Sequence, residues 1–336
     1  MTNAIDTQFL DEISDKRLSA AREILTGRLR RTPVVAWPDD ELGSSNSGEL
    51  LLKLEVLQHA GCFKTRGALL HLLSLDSSER ARGVVTASAG NHAACVSFAA
   101  HVAGASAKVV VPRTASPSRL EICRRYGAEV IVTDNIHAAF AEMSRVCTVE
   151  GRTVIHPFDS SFMVLGAAVL AAELVEQLGQ LDAVVVAVGG GALCGGMAAA
   201  MRLLAPSCDV YGVEPRNADT MSRSLETGTP QRLDGVTVAD SLAAPGATAR
   251  TLALCRMARG VVRVEETQIV DALRTLFTTM KLAVEPAAAA ALAGVRGPLR
   301  TQLAGKRVAV VLCGTNISPS AYAELLAPTE RAAACD

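Results

Sequence analysis

The sequence predicts an α/β protein built on doubly wound parallel sheets, and three observations carry that prediction. Short apolar runs alternate with helical patterns from residue 50 to residue 214, the signature of repeated strand–helix units. The strand-like runs, Val184-Val185-Val186 most plainly, are apolar throughout rather than alternating, as expected where helices cover both faces of a parallel sheet. With 336 residues, the chain can bury a large core that divides into two lobes rather than growing as one.

Taken in order, residues 7–29 read as an amphipathic helix (Phe9, Leu10, Ile13, Leu18, Ala21, Ile24, Leu25) closing near Gly27, and Arg31-Thr32-Pro33-Val34 breaks it. The polar stretch 39–48 reads as a surface loop. Residues 50–57 are apolar enough for a strand, a turn follows at His59-Ala60-Gly61, and a helix carrying Ala68, Leu69, Leu70, Leu72 and Leu73 opens after Phe63-Lys64. Strands at 83–86, 108–111, 129–133 and 153–156 then alternate with helices at 91–103, 116–126 and 136–147. A helix at 163–178, a strand at 183–188, a helix at 192–204 and strands at 209–214 and 308–312 complete the pattern, with 287–291 an alanine-rich run.

Composition removes several function classes. Lysine and arginine number 33 against 34 acids, a net charge of −1 mixed along the chain, so no field gathers nucleic acid or an anionic membrane. The 49% apolar content falls in short runs and the first fifteen residues hold acids, so neither a membrane span nor a secretory signal is expected. Nine scattered cysteines without a Cys-x-x-Cys pair point to reduced thiols in a cytoplasm rather than to disulfides or zinc.

Four segments carry chemistry. Lys64 sits beside Phe63 at the start of a helix, where the helix dipole and partial burial both disfavour the ammonium form and leave a nucleophilic amine able to form a Schiff base. By residue type alone the more ordinary reading is a solvated lysine on an amphipathic helix. Ser88-Ala89-Gly90-Asn91-His92 follows a strand and opens a helix; it suits a carboxylate or phosphate, or is a turn with an N-cap. Gly189-Gly190-Gly191-Ala192-Leu193 lets backbone amides converge on an anion. A dinucleotide site is the rival there, with Glu214 ending the next strand, but Cys194 occupies the position of the third glycine. Val310-Val311-Leu312-Cys313-Gly314-Thr315-Asn316 runs from a strand into a turn, and Cys313 is either a site residue or a core cysteine.

These segments, in this order, resemble the fold-type II pyridoxal-phosphate enzymes of the threonine/serine dehydratase and serine racemase group, over about residues 31–317. The pattern Lys-x-Glu-x-x-Gln-x-x-Gly-Ser-Phe-Lys-x-Arg-Gly-Ala is met by residues 53–68 except at Cys62. The resemblance implies a tryptophan synthase β-like fold, with two doubly wound lobes and the active site between them. Residues 74–158 would form the small domain, and 1–73 with 159–336 the large one. It further implies pyridoxal 5'-phosphate on Lys64, which also takes the Cα proton. Ser88, Asn91 and His92 would hold the substrate carboxylate, Asn91 also meeting the cofactor's phenolic oxygen, and Gly189, Gly190, Gly191, Ala192 and Leu193 would hold the phosphate. Cys313 would face the ring nitrogen. A neutral thiol there leaves the ring a weaker electron sink, which favours β-elimination.

Departures from the family pattern sharpen the reading. Ala89 stands where racemases of this group carry a proton-exchanging serine, Ala192 where a fourth glycine is usual, and Gly166-Ala167-Ala168-Val169 where Gly-Gln-Gly-Thr is usual, so pocket contacts are expected to differ. Thr220 replaces a carboxylate of the segment through which many relatives bind a divalent cation, and no metal is assigned. The activity implied is an ammonia-lyase that eliminates water from a 3-hydroxy amino acid such as L-threonine or L-serine, giving a 2-oxo acid and ammonia. A dehydratase of a bulkier 3-hydroxy amino acid and a β-replacing synthase are the alternatives within the family; an NAD-dependent oxidoreductase and an inactive binding protein stand outside it. The expected partner is a small amino-acid substrate, the expected assembly a homodimer. With twenty residues after Asn316, no C-terminal regulatory domain is expected.

Overall fold

The computed structural model of the chain describes residue 9 and residues 11–38 and 48–327. In its first half α1 (Asp15–Leu25), β1 (Val34–Ala36) and β2 (Glu49–Lys53) lead to α2 (Thr65–Ser74), α3 (Ser77–Arg82), β3 (Val84–Ala87), α4 (Asn91–Ala103) and β4 (Ala107–Pro112). Then come α5 (Pro117–Arg125), β5 (Glu129–Thr133), α6 (Ile136–Glu150), β6 (Thr153–Val154) and α7 (Ser161–Leu178). The second half holds β7 (Ala183–Ala187), α8 (Ala192–Leu204), β8 (Asp209–Pro215), α9 (Thr220–Thr227), α10 (Ala249–Cys255), β9 (Gly260–Val264) and α11 (Glu266–Met280). It closes with α12 (Pro286–Arg296), α13 (Arg300–Leu303), β10 (Arg307–Val311) and α14 (Pro319–Leu326).

Two sheets organise these elements. One is six-stranded in the order β1-β2-β10-β7-β8-β9; the other is four-stranded in the order β5-β4-β3-β6. The α/β fold with two sheets is therefore the one expected, with one exception to parallel pairing: β1 runs antiparallel to β2, Val34 opposite Lys53. All other pairs are parallel, with Val310 registered against both Leu52 and Val185. The strands that read as wholly apolar, β3 and β7, are buried at every residue, because helices cover both of their faces.

Several boundaries differ from the sequence reading for identifiable reasons. The first helix is shorter than 7–29, because the Ser14 side chain accepts from the Arg17 N–H and the helix ends at Leu25; residues 1–8 and 10 lie outside the described set, as does all of the 39–48 loop but Gly48. The strand expected at 50–57 stops at Lys53, and Glu55–Leu57 forms a 3₁₀ turn. Among the described residues α7 is the one helix long and apolar enough to cross a membrane, and most of it is buried in the protein.

The core of the larger sheet places α7 directly against α2. A Cβ added to Gly67 would stand 2.6 Å from the Met163 Cα, so the two backbones touch there and only glycine permits it. Beneath α2 lies a buried ion network. Arg66, 1% exposed, donates from Nε and Nη2 to the Glu55 carboxylate at 2.7 and 2.8 Å and from Nη1 to Glu173 at 3.0 Å. Lys53 Nζ donates to Glu173 at 2.5 Å, to the Thr32 carbonyl at 2.7 Å and to Gln177 at 2.7 Å. Two cations thus meet two carboxylates with their hydrogen-bonding capacity used, the condition under which buried charge is tolerated.

Candidate active site

In a doubly wound parallel sheet the backbone opens outward at the C-terminal ends of the strands, and ligands bind there. Both sheets direct such ends at one cavity of about 490 Å³. Its walls come from the loops after β3, β7 and β10, from the start of α2, from the N-terminal turn of α6 and from residues 233–245.

Lys64 stands just ahead of α2 with helical backbone angles, φ −59° and ψ −20°, and its Nζ is 5.9 Å from the Phe63 ring centre. The turn before it needs a left-handed residue, and Ala60 adopts φ +54°. Asn316 Nδ2 donates to the Ala60 carbonyl at 2.7 Å, and the Phe63 N–H donates to the Cys313 carbonyl at 3.0 Å. The lysine turn is therefore pinned to the end of β10, which brings Lys64 and Cys313 to the same cavity wall.

Ser88, Asn91, Gly189, Gly190, Gly191, Ala192 and Leu193 also line the cavity. The Ser88 hydroxyl accepts from the Gly90 N–H at 3.1 Å and shapes the turn into α4. The glycine loop is bare by necessity. A Cβ on Gly189 would lie 3.1 Å from the Leu242 Cα, one on Gly190 would enter the Phe158 ring, and Gly191 has φ +93° with the Met221 Cε 2.5 Å from where a Cβ would sit. Its amides open the N-terminus of the thirteen-residue α8, a geometry that favours an anion.

His92 departs from expectation. It does not line the cavity; it is 1% exposed, and its Nε2 pairs with the Ile155 carbonyl at 2.9 Å. Burial, together with Lys64 and His156, holds its pKa down to about 3 although the Ile155 contact opposes this, so the ring is neutral. The Gly166-Ala167-Ala168-Val169 departure is likewise no pocket feature, since all four residues are buried within α7 and none lines the cavity. At the suspected cation segment, Glu214 accepts from the Met221 and Ser222 N–H groups at 2.8 Å each and from the Ser222 hydroxyl at 2.7 Å. Asp219 is held by Arg223 at 2.6 Å and Arg263 at 2.8 Å. These lone pairs face donors rather than a cation, and among the described residues no cluster of three or more His, Cys, Asp or Glu could hold a metal.

Glu285 is a site residue that no motif in the sequence marks. It is 1% exposed, lines the cavity, and accepts from Asn91 Nδ2 at 2.5 Å. Burial raises its pKa to about 7, Arg119 opposing. The signal was an acid directly before Pro286 and the alanine run, which reads as a plain helix cap. Ile136, Phe140, Pro157, Phe158, Leu233 and Val236, which carried no site signal in the sequence, add apolar surface to the cavity lining.

The model of the family described as "Pyridoxal-phosphate dependent enzyme" matches residues 25–314. The chain belongs to this family. Among its relatives, the phenylserine dehydratase of Ralstonia pickettii is 45% identical over 96% of this chain and 98% of that one. The L-threo-3-hydroxyaspartate ammonia-lyase of a Pseudomonas species is 34% identical over 91% and 96%. The solved structure of maize serine racemase superposes with a TM-score of 0.87 at 31% identity, covering 94% of this chain and 95% of that one. This member of the family is accordingly a pyridoxal-phosphate-dependent enzyme acting on small hydroxy or amino acids. Its cavity fits the cofactor: an amine for the aldehyde, a cradle of amides that no side chain could share, and a buried carboxylate oxygen of Glu285 without a hydrogen-bond partner.

Proposed function

We propose that this enzyme is an ammonia-lyase that removes water from a 3-hydroxy amino acid bearing a bulky apolar group on C3. The observation that carries the proposal is the apolar lining that Ile136, Phe140, Pro157, Phe158, Leu233 and Val236 add to the cavity. Val236 is 85% exposed at the mouth, an apolar side chain placed to be covered by substrate. A second carboxylate would find no matching lysine or arginine there, since among the described residues Lys64 is the only one on the wall. The name of the Ralstonia relative, a phenylserine dehydratase, supports the same substrate class.

When bound, pyridoxal phosphate supplies an aldehyde for the substrate amine and an electron sink that makes the Cα proton acidic. The chain's own residues do the rest. The glycine loop 189–191 and the amides of Ala192 and Leu193 bind the phosphate, while Ser88 and the start of α4 bind the substrate carboxylate. Asn91 would donate to the ring oxygen. Cys313 would offer the ring nitrogen a neutral thiol, because burial first and then Glu285 push its pKa far up. Lys64 would accept the Cα proton, the Cβ–O bond breaks with the hydroxide taking up one proton and leaving as water, and the released enamine, as its imine tautomer, takes up water to give the 2-oxo acid and ammonia. Ala89 lines the cavity and cannot return a proton.

The proposal includes residues 74–158 as the small domain, supported by a four-stranded sheet whose strands fall between residues 84 and 154. It also includes a cytoplasmic homodimer, which light scattering of the purified protein tests. The substrate class is tested by assaying 2-oxo acid release from serine, threonine, 3-hydroxyaspartate and 3-phenylserine. The expected result is the highest kcat/KM with phenylserine. Equal or higher kcat/KM with threonine or serine overturns the assignment.

A further inference from the structure

Glu285 stands at the N-cap of α12, directly before Pro286, yet its carboxylate does not cap that helix. It turns into the cavity instead. One oxygen accepts from Asn91 Nδ2 at 2.5 Å, and the other has no hydrogen bond. The nearest cation to that second oxygen is Arg119 Nη2 at 3.5 Å. Arg119 is otherwise engaged, by the Asp240 carboxylate and by the Asn316 carbonyl at 2.9 Å.

Asn91 is held from both ends. Its carbonyl oxygen accepts from Asn316 Nδ2 at 2.8 Å, and that same nitrogen donates to the Ala60 carbonyl at 2.7 Å. A backbone carbonyl thus fixes Asn316, and Asn316 with Glu285 fixes Asn91. Turned over, the Asn91 oxygen would face a carboxylate and its NH₂ would face another NH₂. Space is reserved for this arrangement, because a Cβ on Gly314 would lie 2.5 Å from Glu285 Oε1 and 3.1 Å from Asn91 Nδ2. One amide hydrogen of Asn91 is left for the cavity, where among the described residues its one further hydrogen-bond partner is the Ser241 hydroxyl at 3.5 Å.

We propose that Glu285 is a positioning residue that fixes which end of the Asn91 amide faces the bound cofactor, so that a donor and not an acceptor meets the ring oxygen. This rests on the reading of Asn91 as a contact of that oxygen and is independent of the substrate chosen above. The charged groups facing Glu285 are Arg119, Lys64 and Asp240. The thiols of Cys62 and Cys313, which burial keeps protonated, also adjoin it. A carboxylate enforces the orientation, whereas a protonated Glu285 tolerates either one, so the constraint weakens as pH falls through about 7.

The experiment is a double-mutant cycle on holoenzyme with Asn91→Ala, Glu285→Ala and the double variant. It reads cofactor dissociation and the visible spectrum against pH, with circular dichroism as the folding check. Each single variant is expected to weaken cofactor binding about 10–100-fold, the range seen when a group that orients a metal ligand is lost. The double variant is expected to be no weaker than either single, because both remove one unit. Glu285→Ala should shift the pH midpoint of the spectrum, and Asn91→Ala should abolish that shift. Glu285→Gln, which keeps the volume and an accepting oxygen but, like protonated Glu285, can also turn a donor to Asn91, should restore only part of the affinity, should remove the pH dependence, and also serves if the alanine variant does not fold. Additive losses, or an unchanged spectrum and affinity in Glu285→Ala and Glu285→Gln, overturn the proposal. Since the readout is cofactor binding, it stands or falls separately from any result of the substrate panel.

Discussion

Lys64 and Ala89 line one cavity, and the difference in their chemistry sets what the site does with a Cα proton. An amine accepts it; a methyl group cannot deliver one to the other side. Lys64→Ala is expected to abolish both turnover and the visible absorbance of the bound cofactor, with unchanged circular dichroism, since no other lining side chain can form the Schiff base. Arginine is not expected to substitute, because the guanidinium stays protonated. Ala89→Ser is expected to raise racemisation of serine above the wild-type level, a positioned acid contributing about 10²–10⁴-fold. Chiral chromatography of serine recovered after partial turnover measures it. If the wild-type enzyme already racemises serine as fast as it eliminates water, another hydroxyl on the wall, Ser241 first, supplies the second proton.

At the scale of elements, α2 holds Lys64 in place through Arg66, two residues further on, whose guanidinium is clamped by Glu55 and Glu173. Removing one partner of a buried pair leaves an uncompensated charge, so Glu55→Ala is expected to destabilise the protein by about 3–5 kcal/mol. Chemical denaturation of the purified variant gives the value, and a loss below 1 kcal/mol would show that water reaches Arg66. The segment Lys53–Ala68 was legible in the sequence because its chemistry resides in residue types at fixed spacing. The burial of its charges was not, since lysine, glutamate and arginine read as solvated by default. β1 escaped notice because three residues carry no period, and β9 because it is only half buried. His92 was misplaced for a geometric reason: neighbours on a helix point about 100° apart, so Asn91 can face the cavity while His92 faces Ile155.

Across the whole molecule, the contacts that complete the site join residues far apart in the chain, Asn91 with Glu285 and Arg119 with Asp240, and no local pattern signals them. Burial of titratable groups has the same long-range origin, and it makes a prediction about acid stability. Burial lowers His71 to about 4 and His92 to about 3 from an ordinary 6.5, and raises Glu214 and Glu285 to about 7 from an ordinary 4.5. As pH falls from 7 to 4.5 the two carboxyls take up protons in the folded state first, which adds stability. From 6.5 downward the two histidines take up protons in the unfolded state first, which removes it. The two effects oppose each other between 6.5 and 4.5. Below 4.5 the gain from Glu214 and Glu285 is complete while the histidine loss continues, joined by Glu173 and Asp219, whose carboxyls, against the effect of burial, Arg66 and Arg223 hold below the ordinary value, so stability is expected to fall steeply there. His71 stacks on Phe162 with ring centres 4.3 Å apart, and its Nδ1 has no partner, so His71→Leu removes a titrating group without breaking a hydrogen bond. Between pH 6 and 4.5 the variant is expected to lose less stability than wild type by about 1.4 kcal/mol per pH unit. Urea unfolding at half-unit pH intervals decides it: parallel curves for the two proteins would mean that the His71 ring titrates alike in the folded and unfolded chains.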